Sequence, residues 1–300
     1  MTYDYFICDV FTDKHFTGNQ LAVIPNAQGL SDKQMQQIAR EFNFSESTFV
    51  FPSENGFNKK LRIFTPLREV PFAGHPNIGT AFVLASSGEF GEISETTRVT
   101  FEEKAGVVDI TISKQENGKI FCELKAPEQL SLGTLIPVDL VAGALSIQPS
   151  DIITGTHLPQ VASVGLPFIM VELKDISVLK QIKVNVNGFE KMMETGIIRS
   201  STFAYVKNYE GFDIRARMFA PLSGVYEDPA TGSANCAISA LLSYHDSKPS
   251  GVFSYKIGQG FEIGRDSILQ SRTEKRDRKI VSVYIGGNSI MSCKGTITVE

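Results

Sequence analysis

Residues 72–86 read FAGHPNIGTAFVLAS and residues 230–244 read ATGSANCAISALLSY, and neither stretch contains Asp, Glu, Lys or Arg. Charged residues make up 21% of the chain, so two charge-free windows at matching places in a repeat organise the whole reading. A helix that is small or apolar on every face is buried on every face. Each window carries a glycine near its start, Gly74 or Gly232, where the chain must enter the helix. The pair therefore predicts a buried central helix written twice.

The repeat continues upstream. RIFTPLREV (62–70) lies against RMFAPLSGV (217–225) at an offset of 155, matching Arg62/Arg217, Phe64/Phe219, Pro66/Pro221, Leu67/Leu222 and Val70/Val225. The helix windows align at 158, so a length difference of three residues separates the two blocks. Strands are expected around each helix. GVVDITIS (106–113) and KIFCELK (119–125) flank the turn signal QENG and read as a hairpin, and KIVSVYIGG (279–287) with GTITVE (295–300) reads as another. Ser31 and Gln34 form a capping box for a surface helix whose apolar face is Met35, Ile38, Ala39 and Phe42. Amphipathic segments follow at 138–146 and 188–195, and APEQLSLGTLIP (126–137) marks the boundary between halves. The expected fold class is α+β, with two pseudo-symmetric domains at 1–130 and 131–300. Each is a barrel-like β-sheet wrapped around a central buried helix, and the last strand can pack back onto the first half.

Composition narrows the function. Lys+Arg 29 against Asp+Glu 33 gives a formal net charge of −4, without the basic stripe of a nucleic-acid binder. No apolar run approaches the ~18 residues of a membrane span, and MTYDYFICDV has neither the basic nor the apolar part of a secretory signal. A cytoplasmic protein is expected. Cys8, Cys122, Cys236 and Cys293 are too scattered for zinc or redox spacing and read as reduced thiols. His15, His75, His157 and His245 show no ligand pattern, so no metal site is expected.

A helix whose first turn is Gly-His-Pro or Gly-Ser-Ala presents free N–H groups and the positive end of its dipole, an arrangement suited to a carboxylate or phosphate. If the halves face each other about a pseudo-twofold axis, both helix starts serve one interdomain cleft. Three ionisable groups belong near them: Glu46 in FSESTF, His75 in AGHP and Asp228 in YEDPATGSA. Glu46, between apolar neighbours, either acts as an acid/base with a raised pKa or caps a turn or pairs with an arginine. His75 either touches a ligand or is satisfied by backbone, Asp228 either does the same or starts an Asp-Pro turn, and Ser233 either binds or caps the second helix.

Taken together, DVFTDKHFTGNQLAVI (9–24), LSDKQMQQIAREFNFSESTFVFP (30–52), RIFTPLREVPFAGHPNIGTA (62–81), EDPATGSA (227–234) and GQGFEIGR (258–265) resemble the PhzF-like phenazine-biosynthesis isomerase family. The resemblance implies the diaminopimelate-epimerase fold and an isomerase, without cofactor, that moves a proton within a small carboxylate-bearing substrate of the dihydro-hydroxyanthranilate type. It implies catalytic roles for Glu46 as general acid/base and for His75 and Asp228 in holding and polarising substrate. Gly74, Gly232 and Ser233 become the substrate contacts, and a homodimer is allowed. In the wider superfamily paired cysteines precede the two helix glycines. Here Ala73 and Thr231 stand there, which disfavours a two-thiol racemase and leaves Cys236 to the core. Gly18-Asn19-Gln20 and Gly264-Arg265-Asp266 depart from the family's Gly-Asn-Pro and Gly-Arg-Pro. Two other readings stay open: a racemase or epimerase of an amino or hydroxy acid using Glu46 and Asp228, and a binding protein without chemistry.

Overall fold

A computed structural model describes residues 1–300 except 94, 195 and 197–200. Its residues cluster into two compact units, Met1–Lys125 with Gly286–Glu300, and Ala126–Ile285.

In the first unit eight strands close on themselves. Strand β1 (Thr2–Val10) pairs antiparallel with β2 (Asn19–Ile24), β2 parallel with β3 (Glu46–Phe51), and β3 antiparallel with β4 (Lys59–Phe64). The short β5 (Glu69–Val70) folds back on β4, which also pairs parallel with β6 (Thr97–Glu103). Hairpin neighbours β7 (Gly106–Lys114) and β8 (Ile120–Lys125) follow, and β18 (Lys279–Thr298) joins β8 to β1. Inside runs α2 (Gly74–Ser86), buried at every residue from Gly74 to Ala85. Its charge-free sequence is what lets it fill a barrel, since a charge on any face would meet apolar walls. Helix α1 (Asp32–Phe42) lies outside, opened by the Ser31–Gln34 capping box.

The second unit repeats this pairing. After β9 (Ser131–Leu135), α3 (Val138–Leu145) and β10 (Ile152–Ile153), strand β11 (Gln160–Ser163) pairs antiparallel with β12 (Pro167–Leu173). Helices α4 (Ile176–Gln181) and α5 (Val186–Met193) intervene. Then β12 runs parallel with β13 (Thr202–Tyr209), β13 antiparallel with β14 (Phe212–Ala220), β14 parallel with β16 (Gly251–Gln259), and β16 antiparallel with β17 (Ser267–Arg276). Strand β15 (Val225–Asp228) folds onto β14 as β5 does onto β4, and α6 (Gly232–His245) is the buried helix.

The repeat is also chemical. Arg62 forks onto Glu69 (Nε–Oε1 2.8 Å, Nη2–Oε2 2.7 Å) as Arg217 does onto Glu227 (2.9 and 2.7 Å), and the two guanidinium groups lie over Phe64 and Phe219. These pairs correct the alignment. Glu69 corresponds to Glu227, and Val70 opposite Ile63 corresponds to Asp228 opposite Met218, so Val70 and Val225 are not equivalent. The three extra residues therefore precede Glu227.

One expectation fails. Residues 279–287 and 295–300 are not arms of a hairpin, because 279–298 is a single strand. Its glycines serve close approach rather than a turn: a Cβ on Gly286 would stand 2.7 Å from the Cys122 carbonyl oxygen, and one on Gly295 would stand 2.7 Å from the Tyr5 hydroxyl.

Helix α6 ends on a buried cation. Lys275 donates from Nζ to the carbonyls of Ser243 (2.9 Å), Tyr244 (3.2 Å) and Asp246 (2.7 Å), supplying the donors that a helix C-terminus lacks. Lys275→Met keeps the aliphatic stem but leaves these acceptors without their cation. A loss of about 3 kcal/mol is expected, read as a lower midpoint in urea unfolding.

Candidate active site

The parallel pairing of β2 and β3 sets Leu21 opposite Glu46, and the first turn of α2 brings His75 to the same place. The buried ring of His75 lies between two oxygens. Nε2 is 3.3 Å from the carbonyl of Gln20 and Nδ1 is 3.4 Å from Oε2 of Glu46. A carbonyl only accepts, so Nε2 carries the ring proton and Nδ1 presents a lone pair to Glu46. Burial pushes the pKa of His75 down to about 3, with the Gln20 contact opposing it. His75 is thus a neutral dipole at physiological pH. When Glu46 holds a proton it can donate toward Nδ1, and when ionised it faces that lone pair. The Glu46 side chain keeps 20% of its surface exposed, enough to meet a ligand. The departure at Gln20 leaves this geometry alone, since the contact uses backbone.

In the second unit the start of α6 carries a polar network. Asp228 Oδ2 accepts from the Thr231 hydroxyl at 2.5 Å. Gln259 accepts from the Thr231 N–H (3.2 Å) and Asn235 Nδ2 (2.7 Å), while its own Nε2 donates to the Asp228 carbonyl (2.7 Å) and the Thr231 hydroxyl (3.1 Å). Thr231 is the residue at the N-cap position, so Ser233 lies within the first turn and is not the cap. Ser233 is half-buried, Gly74 and Gly232 are buried at their helix starts, and Cys236 is in the core.

Across the repeat the strand registers match Glu46 to Ser201 and Asp228 to Val70, and the aligned helix windows match His75 to Ser233. The scaffold and its Arg–Glu forks are duplicated, but Glu46, His75 and Asp228 are not. Gln259, Asn235, Asn77 and Glu103 were not singled out by sequence reasoning. Asn77 and Asn235 could have been, for they match within the aligned helix windows, and each donates from Nδ2 to the carbonyl four residues earlier at 2.9 Å.

The sequence model of the phenazine biosynthesis-like proteins matches residues 8–295. The chain belongs to that family, PhzC-PhzF. Its relatives include an uncharacterized isomerase of Mesorhizobium japonicum, 33% identical over 99% of both chains. Another is the trans-2,3-dihydro-3-hydroxyanthranilate isomerase of Pseudomonas aeruginosa, 32% identical over 97% of this chain and 98% of that one. A PhzF-family protein of Bacillus anthracis superposes with a TM-score of 0.90 at 25% identity, covering all of both chains. A hydroxyproline epimerase from Agrobacterium vitis shares the fold, with a TM-score of 0.65 at 14% identity over 99% of this chain and 91% of that one. This PhzF-like protein is an isomerase of the epimerase-like fold. Among the described residues no helix is long and apolar enough to cross a membrane.

Proposed function

We propose that this PhzF-like protein moves a proton between two carbons of a small, conjugated carboxylate of the trans-2,3-dihydro-3-hydroxyanthranilate type, with Glu46 as general acid/base and no cofactor. The observation that carries the reading is Glu46 against the uncharged Nδ1 of a buried His75, within the first turn of a charge-free helix. One carboxyl that takes the proton from one carbon and returns it to another replaces exchange through bulk water. His75, fixed by Gln20, orients that carboxyl. The helix N-terminus at Gly74 favours the substrate carboxylate.

Asp228, Gly232 and Ser233 are proposed as further substrate contacts. Asp228 is better suited to holding than to proton abstraction, because Thr231 already donates to it. That favours migration of a double bond over inversion by two opposed bases. The test is proton NMR in D₂O with trans-2,3-dihydro-3-hydroxyanthranilate. Double-bond migration with deuterium entering one carbon supports the reading, whereas exchange with only inversion of a stereocentre, or binding without exchange, defeats it.

The neutral His75 gives a separate expectation. ¹⁵N NMR of the ring should show the Nε2–H tautomer unchanged from pH 5 to pH 8, the range in which an ordinary histidine titrates. A ring that protonates within this range would remove the neutral partner that the proposed site sets against Glu46.

A further inference from the structure

We propose that Glu103 is a resident carboxylic acid, protonated in the working protein, that positions the first turn of α2 as Gln259 positions that of α6. The correspondence follows from register. Lys60 sits opposite Glu102 across β4 and β6, as Arg215 sits opposite Gly258 across β14 and β16, so Glu103 corresponds to Gln259. Gln259 needs both halves of its amide: the oxygen accepts from Thr231 and Asn235, and the nitrogen donates to the Asp228 backbone carbonyl. A neutral carboxylic acid likewise offers one acceptor and one O–H donor, whereas a carboxylate offers acceptors alone. At the corresponding place in the first unit only the protonated form has a donor to offer, as the amide nitrogen of Gln259 does in the second.

The surroundings agree. Glu103 is 8% exposed, and neither of its oxygens, nor Oδ1 of Asn77, has a hydrogen-bond partner among the described residues. Where α6 has Thr231 and Asp228, α2 has Ala73 and Val70, which offer no side-chain donor or charge. The charged neighbours are committed elsewhere. Lys59 pairs with Glu89, Lys60 with Glu54, and Arg62 and Lys104 with Glu69, while Glu102 accepts from Ser53 and Asn55. On α2 the single titratable group is the neutral His75, facing Glu46 of β3, and β7 contributes Asp109 and Lys114. None of these charges acts appreciably on Glu103. Burial pushes its carboxyl up to about 8. Ionisation would set a charge beneath the turn that carries His75 and Asn77, so the site should come apart as the pH rises past that value.

The activity arm of the test rests on the proposed isomerase reading, and the spectroscopic arm does not. In ¹³C-glutamate-labelled protein, one carboxyl resonance should titrate near pH 8 and be missing from E103Q. A Glu103 resonance that titrates in the ordinary carboxylate range overturns the proposal. With trans-2,3-dihydro-3-hydroxyanthranilate, kcat/KM of the natural protein should fall about tenfold per pH unit above 8. E103Q, the residue the repeat itself uses, should retain the neutral-pH rate and lose the alkaline fall, while E103L should lose rate at every pH. An identical alkaline fall in E103Q, or a rate unaffected in E103L, overturns the positioning role. Absence of turnover by the natural protein would defeat the substrate reading and leave the resonance to decide the state of Glu103.

Discussion

Glu46→Gln should lower kcat about a thousandfold on the proposed substrate while KM changes only a few-fold. The amide keeps the size of the carboxyl and can donate from its nitrogen to Nδ1 of His75, so the ring stays held between position 46 and the Gln20 carbonyl. What disappears is a proton that can leave and return. A thousandfold loss corresponds to about 4 kcal/mol of transition-state stabilisation, a size expected when the group that transfers the proton is removed rather than perturbed. The measurement is deuterium incorporation followed by NMR beside circular dichroism and thermal unfolding of the variant. A folded variant that turns over at the natural rate would take the acid/base role away from Glu46.

The contrast between the two helix starts explains how much of this site was legible in the amino-acid sequence. Charge-free helices reveal themselves because burial on all faces excludes Asp, Glu, Lys and Arg, and the windows at 72–86 and 230–244 announced α2 and α6 to within two residues. Ser31 and Gln34 likewise announced α1, since a capping box is local chemistry. Glu103 was illegible for the opposite reason. In FEEK it looks like one of several solvated acids, but it continues the buried Val99–Phe101 face of β6 while Glu102 points to Ser53 and Asn55. The role of Gln259 was hidden in the same way, by contacts to residues 24 to 31 positions away. The supposed hairpin near the end of the chain failed because the residues between its arms continue the same strand and pair with β1, a partner at the opposite end of the chain that no local signal announces. The misplaced Val70/Val225 pair arose from sliding a fixed offset past an insertion that the Arg217–Glu227 fork locates.

Glu103 also makes the stability of the folded chain fall with rising pH over a range where most proteins gain. Its carboxyl is pushed up to about 8 in the folded chain, from an ordinary value of 4.5. Between those two values the folded state binds a proton that the unfolded state has released, so the stability slope with pH is negative there and flat on either side. At about 1.4 kcal/mol per pH unit, the deficit reaches roughly 3 kcal/mol at pH 7 and roughly 5 kcal/mol above pH 8. Glu103→Gln removes the titration while keeping an acceptor and a donor, as Gln259 shows is workable in the other unit. The variant should therefore match the natural protein near pH 4.5 and exceed it by about 3 kcal/mol at pH 7, which urea unfolding at a series of pH values would measure. Equal pH slopes for the two proteins would mean that Glu103 ionises as readily folded as unfolded. A stabilisation independent of pH would point instead to packing, because a neutral amide and a neutral acid differ only once the acid has lost its proton.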